Sequence, residues 1–348
     1  MANLSWQSAG KSTNIRKVKF NTLLFRNLNF LKILASYLFS RISHRAYHWG
    51  KPIAVSIEPT NRCNLHCPEC PSGMHRLTRT RGEISPDVFK SAIDQLSPQL
   101  SYLTLYFQGE PYLHPGFFDF VRYARSKNIY VSSSTNGHFL STEQVEQTIN
   151  CGLNRLIISL DGINQETYQS YRQGGNFKQV VEGIAKLVEQ KHLKKVNHPK
   201  IIIQFLVFKT NQHQIAEIRT LGKKLGVDKV EIKTAQFYDY HLGNPLMTDL
   251  GKYSRYKKIT SPSSSIITYQ IKNKLPNHCF RMWSSCVITW DGKVAPCCYD
   301  KDANHVMGNI IKTPFHEILK STSYKNFRKT LLTKRKSVEM CSNCDQKF

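Results

Sequence analysis

The feature that most restricts how this chain can fold is a cysteine loop. Cys63, Cys67 and Cys70 fall within eight residues in the spacing CxxxCxxC, directly behind the short apolar run Ile53-Ala54-Val55-Ser56-Ile57. Such a run, closed by Pro59 and Asn61, predicts a buried strand, so the thiols are carried on a loop that leaves a strand end. Three thiolates on one loop can hold three corners of a [4Fe–4S] cube, and because a full protein set is four, one iron stays open. A zinc knuckle or a redox thiol pair is the alternative. Structural zinc sites use four ligands in two pairs, however, and a redox motif needs only CxxC. His66 lies inside the loop, where it is awkwardly placed as a fourth ligand.

Behind the loop the chain alternates between two kinds of segment. Apolar runs over 53–57, 102–107, 129–133, 155–160, 201–208 and 229–234 read as strands. Helical periodicity covers 86–97, 115–127, 141–150, 176–191 and 212–225. Six strands alternating with helices predict an α/β fold with a parallel sheet, a partial (β/α)6 TIM barrel. Sites in such barrels gather at the C-terminal strand ends. There the sequence places Gln108-Gly109-Glu110-Pro111, then Ser134-Thr135-Asn136-Gly137, then Ser159-Leu160-Asp161-Gly162, with Gln204 on the fifth strand. Each of these segments is also ordinary turn chemistry when read alone.

Taken together, the cysteine loop and these strand ends resemble the radical S-adenosylmethionine (SAM) superfamily. The resemblance implies that SAM chelates the open iron through its amino and carboxylate groups. It implies contacts to SAM from Gly109-Glu110, with Gln108 beside them, at the amino group, from Ser134, Asn136 and Ser159 around the ribose, and from Arg172 at the carboxylate. Gln204 is expected to point into the same pocket. One position departs from the family pattern: an aromatic residue usually precedes the third cysteine, and here Glu69 does.

Six further cysteines, Cys279, Cys286, Cys297, Cys298, Cys341 and Cys344, crowd the last 70 residues. Four suffice for a closed cluster or for a zinc site. The pattern Cys279-x12-Gly292-x4-Cys297, with the later Cys341-x2-Cys344, resembles the SPASM and twitch modules that bind auxiliary [4Fe–4S] clusters. It implies one auxiliary cluster held by Cys279, Cys297, Cys341 and Cys344, with Cys286 competing for a place. Cys298 neighbours Cys297 and points the other way in an extended segment. Asp291-Gly292 predicts a β-hairpin that presents Cys297. Cys151, alone after a helix, reads as a small buried residue.

The expected organisation is a basic arm and amphipathic helix over 1–50, the barrel over 51–237, an irregular connection over 238–278 and the auxiliary module over 279–348. Within the connection, Tyr253, Arg255 and Tyr256 either touch substrate or cover the barrel mouth. The first 19 residues read as a flexible arm. Leu23, Leu24, Leu28, Leu31, Leu34, Tyr37, Leu38 and Ile42 recur at helical spacing, interrupted by Arg26, Lys32, Arg41 and Arg45. That pattern favours a helix packed on the main domain over one lying on a membrane through residues 20–45, and it excludes a membrane span.

A net charge of +25, from 49 Lys and Arg against 24 Asp and Glu, attracts anionic partners in general. No RNP-like run or basic stretch interleaved with aromatics accompanies it, so nucleic acid is not the expected partner. Clustered cysteines, with no cleavable signal ahead of them, point to a reducing cytoplasm, with peripheral membrane contact as a variant. The resemblance implies an enzyme that cleaves SAM reductively and abstracts hydrogen from a peptide or protein. An electron donor such as flavodoxin or ferredoxin would serve it. A dehydrogenase or epimerase of a small alcohol or sugar is the alternative within the family. Outside it stand an iron–sulfur or zinc protein without SAM chemistry and an RNA-modifying enzyme.

Overall fold

The computed structural model describes residues 8–260 and 266–346. Helix α1 (Ser8–Ser43) precedes strand β1 (Ala54–Ile57). Helix and strand then alternate through α2 (Pro86–Leu96), β2 (Tyr102–Thr104), α3 (Phe117–Ser126), β3 (Tyr130–Thr135), α4 (Thr142–Asn150) and β4 (Arg155–Ser159). The series continues with α5 (Gln165–Tyr171), α6 (Phe177–Leu193), β5 (Lys200–Val207), α7 (Ile215–Leu225) and β6 (Lys229–Thr234). Local chemistry fixes these boundaries. Ser85, Ser141, Asn164 and Asn176 cap α2, α4, α5 and α6 by accepting from backbone N–H groups of the first turn. Gly226, at φ +73°, closes α7 in the left-handed conformation glycine favours.

The six expected strands all form, pair in parallel and run in the order β1 to β6. The sheet stays open. Its other edge is extended by the C-terminal region, where α8 (Arg281–Ser284) leads into β9 (Ser285–Ile288), β10 (Lys293–Ala295) and β11 (Gly308–Asn309). Strand β9 lies parallel to β1, Ala54 opposite Ser285 and Ile57 opposite Ile288, so nine strands form one sheet. The predicted hairpin is β9–β10. Buried Glu58, one residue past β1, ties the two regions further: both its oxygens accept from Arg79 (2.5 and 2.6 Å), and Oε2 also accepts from Trp290 N. Helices α9 (Phe315–Lys320) and α10 (Thr322–Lys334) complete the core with Phe315, Ile318, Leu331 and Leu332.

Three expectations need correction. The connection over 238–278 is not irregular throughout, because β7 (Tyr256–Thr260) and β8 (Ile267–Ile271) form an antiparallel hairpin; residues 261–265 lie outside the described residues. Tyr256 and Arg255 are structural there. The Tyr256 hydroxyl donates to Asn343 Oδ1, and Arg255 pairs with Asp345 at 3.1 Å, binding the segment to the C-terminal region. The arm is helical from Ser8 onward, while residues 1–7 lie outside the described residues.

The third correction concerns α1, which packs through a face other than its leucine period. Asn29, Ile33, Ser36, Tyr37 and Ser40 are buried, whereas Leu24, Leu28, Leu31, Leu38 and Ile42 are exposed. The reason is the returning chain. Asn29 brackets Lys51 with two 2.8 Å hydrogen bonds, and Ser40 Oγ accepts from Tyr47 N, so polar side chains are needed against backbone. Tyr37 packs edge-on against Phe280 and Trp283 beneath the sheet.

Candidate active site

Beyond β1 the cysteine loop is clamped by backbone on two sides. His66 N donates to Gln173 O, and Glu110 N donates to Arg62 O at 2.7 Å. Gly109, at φ +75°, lies so close that a Cβ there would stand 2.5 Å from Thr60 O and 2.6 Å from Arg62 O. The glycine therefore answers first to the cysteine loop it packs on.

Cys63, Cys67 and Cys70 line one cavity with Gly109, Glu110, Ser134, Asn136, Ser159 and Arg172. Nine of the residues singled out in the sequence thus converge at the C-terminal ends of β1 to β4. Two do not line it: Gln108 donates to Phe107 O within its own turn, and Gln204 sits in register beside Ser159 but outside the lining. Tyr106 and Thr135 also line it and were missed, although both lie in the strand-end segments already identified.

The polar groups of this cavity hold one another. Glu110 is 2% exposed, and its carboxylate accepts from Tyr112 N, Thr135 Oγ1 and Asn136 N. Burial still pushes its carboxyl up to about 7. Arg172 opposes burial through Asp161: Nε donates to Asp161 Oδ2 at 2.6 Å, Nη1 stands 3.8 Å from Cys67 Sγ, and the guanidinium is held firmly charged. Asp161 is fully buried, and its other oxygen accepts from Leu206 N. Its place in the site could not be read from a Leu-Asp-Gly turn.

A second cavity, in the C-terminal region, is lined by Cys279, Cys297, Cys341 and Cys344 together. Arg335, fully buried, donates to His278 O and approaches Cys344 Sγ at 3.5 Å. A buried guanidinium beside thiols suits an anionic sulfur cluster, because it offsets the cost of buried charge. Cys286 stands on β9 opposite Val55; it lines a neighbouring cavity with Cys297 and Cys298 and is absent from the lining of the four-cysteine cavity. Cys151 is buried and donates to Thr148 O.

Among the described residues no group of three or more His, Cys, Asp or Glu side chains is drawn together tightly enough to hold one metal ion. The thiols instead line two cavities, an arrangement suited to a multi-atom cluster. Burial pushes the Cys63 thiol up to about 12 and Cys341 to about 11, so protons must leave as iron binds.

A third cavity, of about 380 Å³, is lined by residues of both regions. Pro71 and Met74 continue its wall from the cysteine loop, and it shares Tyr299 and Met340 with the four-cysteine cavity. Tyr238, Tyr240 and His241 form another side. Glu69 anchors that side: its carboxylate accepts from Asn244 Nδ2 at 2.9 Å and from Tyr238 N at 3.4 Å. The residue that departs from the family pattern thus ties the connecting segment to the cysteine loop.

Comparison with known proteins agrees with this geometry. The radical SAM superfamily model matches residues 57–219, and the SPASM iron–sulfur cluster-binding domain matches residues 279–345. The AdoMet-dependent heme synthase of Methanosarcina barkeri is 27% identical over 77% of this chain and 82% of its own. The PqqA peptide cyclase of Streptomyces rochei is 24% identical over 86% and 83%. In fold, the chain is similar to Streptococcus suis SuiB bound to precursor peptide SuiA, with a TM-score of 0.61 at 14% identity over 89% of this chain and 74% of that one. The chain belongs to the radical SAM superfamily and carries a SPASM domain, with SAM, a [4Fe–4S] cluster and auxiliary iron–sulfur binding as its cofactor set.

Proposed function

We propose that this enzyme abstracts hydrogen from a peptide or protein substrate, oxidising or cross-linking it. The observation that carries the reading is a substrate-sized space whose wall takes Pro71 and Met74 from the cysteine loop and shares Tyr299 and Met340 with the four-cysteine site. Its volume lies within the ~300–1,000 Å³ of small-ligand pockets, enough for one or two residues of a peptide. Similarity to a PqqA peptide cyclase supports a peptide over a small alcohol or sugar.

When bound, the first cluster and SAM supply a one-electron cleavage that yields methionine and a 5′-deoxyadenosyl radical able to take hydrogen from substrate. Cys63, Cys67 and Cys70 would hold that cluster. Gly109 and Glu110 would face the SAM amino group, Ser134, Asn136 and Ser159 its ribose, and Arg172 its carboxylate, for which a guanidinium fork is suited. Cys279, Cys297, Cys341 and Cys344 would close the coordination of an auxiliary cluster, which favours electron transfer over substrate binding there. Glu69, by holding 238–244 against the loop, would keep the wall of the substrate space in place. A flavodoxin or ferredoxin would supply electrons.

The test is anaerobic reconstitution with iron and sulfide, then reduction with SAM and perdeuterated peptides encoded beside the gene. Deuterium recovered in 5′-deoxyadenosine supports the reading. Deuterium delivered only from sugar or alcohol substrates would overturn the peptide assignment, and absence of 5′-deoxyadenosine would overturn SAM cleavage itself.

A further inference from the structure

Helix α1 is built the wrong way round for a helix whose only task is to cover a domain. At about 3.6 residues per turn, Leu24, Leu28, Leu31, Leu38 and Ile42 fall on one stripe, and that stripe faces away from the protein. Leu31 is 57% exposed and Ile42 82%. The inward side carries Asn29 and Ser40, already engaged with the returning chain, and Ser36, whose hydroxyl donates to Ile33 O. Exposed Phe39 and Trp49 extend the apolar surface past the end of the stripe, their rings 6.0 Å apart. Contiguous exposed apolar surface of this kind marks an interaction site.

Charge identifies what covers it. Residues 1–57 contain no Asp or Glu, while Lys11, Arg16, Lys17, Lys19, Arg26, Lys32, Arg41, Arg45 and Lys51 are all basic. By helical spacing, Lys32 and Arg41 flank the leucine stripe on opposite sides. An acid-free basic segment around an apolar stripe matches an anionic bilayer interface, with Trp49 placed where aromatic rings sit at headgroup level. A second copy of this chain is a poorer fit, because each carries +25 and the same basic segment would face itself. No described helix is long and apolar enough to cross a membrane, so the contact is one of lying on the surface.

We propose that the outward face of α1, with Trp49, is a docking surface for the headgroup region of an anionic lipid bilayer. The helix lies along the interface with its leucines turned into the acyl boundary. Lys32 and Arg41 reach the headgroups on either side.

Co-sedimentation of the reconstituted full chain with phosphatidylglycerol–phosphatidylcholine vesicles, against phosphatidylcholine vesicles alone, tests this. Binding is expected at least tenfold tighter on the anionic vesicles and weakened by salt. Each basic residue near such a surface contributes about fivefold, so Lys32→Gln with Arg41→Gln should weaken binding about thirtyfold. Leu31→Glu with Leu38→Glu should weaken it by at least about 100-fold, from the lost burial of two leucines. Circular dichroism and iron content should be unchanged, as these side chains are exposed. Absence of vesicle binding by the wild type would overturn the proposal, as would binding that survives Leu31→Glu with Leu38→Glu. A dimer abolished by the same variant, seen by light scattering without vesicle binding, would assign the face to a second copy and overturn it as well.

Discussion

Replacing Asp161 by Asn removes the charge that holds Arg172 while conserving shape and the 2.6 Å bond from Leu206 N, which the amide oxygen can still accept. What is lost is the 2.6 Å ion pair, leaving a guanidinium buried beside Cys67 without its carboxylate. Breaking a buried pair on one side costs about 3–5 kcal/mol. Because 13% of the Arg172 side chain reaches solvent, the lower end applies, about 3 kcal/mol. Adding Arg172→Met removes the stranded charge and should restore most of that loss, giving a coupling energy of about 2 kcal/mol in a double-mutant cycle. Urea unfolding followed by tryptophan fluorescence, under anaerobic conditions, measures it. A loss below about 1 kcal/mol for Asp161→Asn, or a double variant no more stable than the single one, would refute the view that Asp161 sets the position and charge of Arg172.

Other outcomes follow from the same geometry. Gly109→Ala forces a Cβ onto the Thr60 and Arg62 carbonyls at a positive φ, and should cost about 2–4 kcal/mol and lower iron retention at the first site; a variant with wild-type iron and melting temperature would contradict this. The Glu110 carboxyl, raised from 4.5 to about 7 by burial, contributes stability to the cofactor-free protein that is fully present below pH 4.5 and lost as pH rises to about 7. That loss is about 3 kcal/mol, so the gap between wild type and Glu110→Gln should change over that window, and a constant gap would count against it. Cys286→Ala should leave iron content unchanged whereas Cys344→Ala lowers it, as read by iron assay; equal losses would place Cys286 among the ligands.

What was legible in the sequence was local. Three thiols in eight residues and three strand-end segments are short-range patterns, and their convergence follows once the strands are parallel and in order. The four cysteines of the second cavity were grouped through a pattern that resembles the SPASM module, and Cys286 was separable from them only when β9 paired with β1 and left that side chain outside the four-cysteine cavity. This pairing joins residues more than 200 positions apart, for which no local signal exists. The Glu58–Arg79 and Asp161–Arg172 pairs join residues only 21 and 11 positions apart, but they were hidden because each residue alone reads as a turn or surface charge. The hairpin β7–β8 was missed although Tyr256, Ile259, Ile267, Tyr269 and Ile271 offered β-formers among lysines. In α1 the apolar period was visible, but which side faced the protein depended on the backbone of residues 47–51 needing Asn29 and Ser40.

The central claim is that one chain holds two separate clusters, the first on the three-cysteine loop and the second among four distant cysteines. Iron per chain after anaerobic reconstitution tests it most directly, in wild type, in Cys63→Ala/Cys67→Ala/Cys70→Ala and in Cys279→Ala/Cys341→Ala. Two independent [4Fe–4S] sites predict about eight irons in the wild type and about four in each variant. About four irons in the wild type, or loss of all iron from either variant, would contradict it.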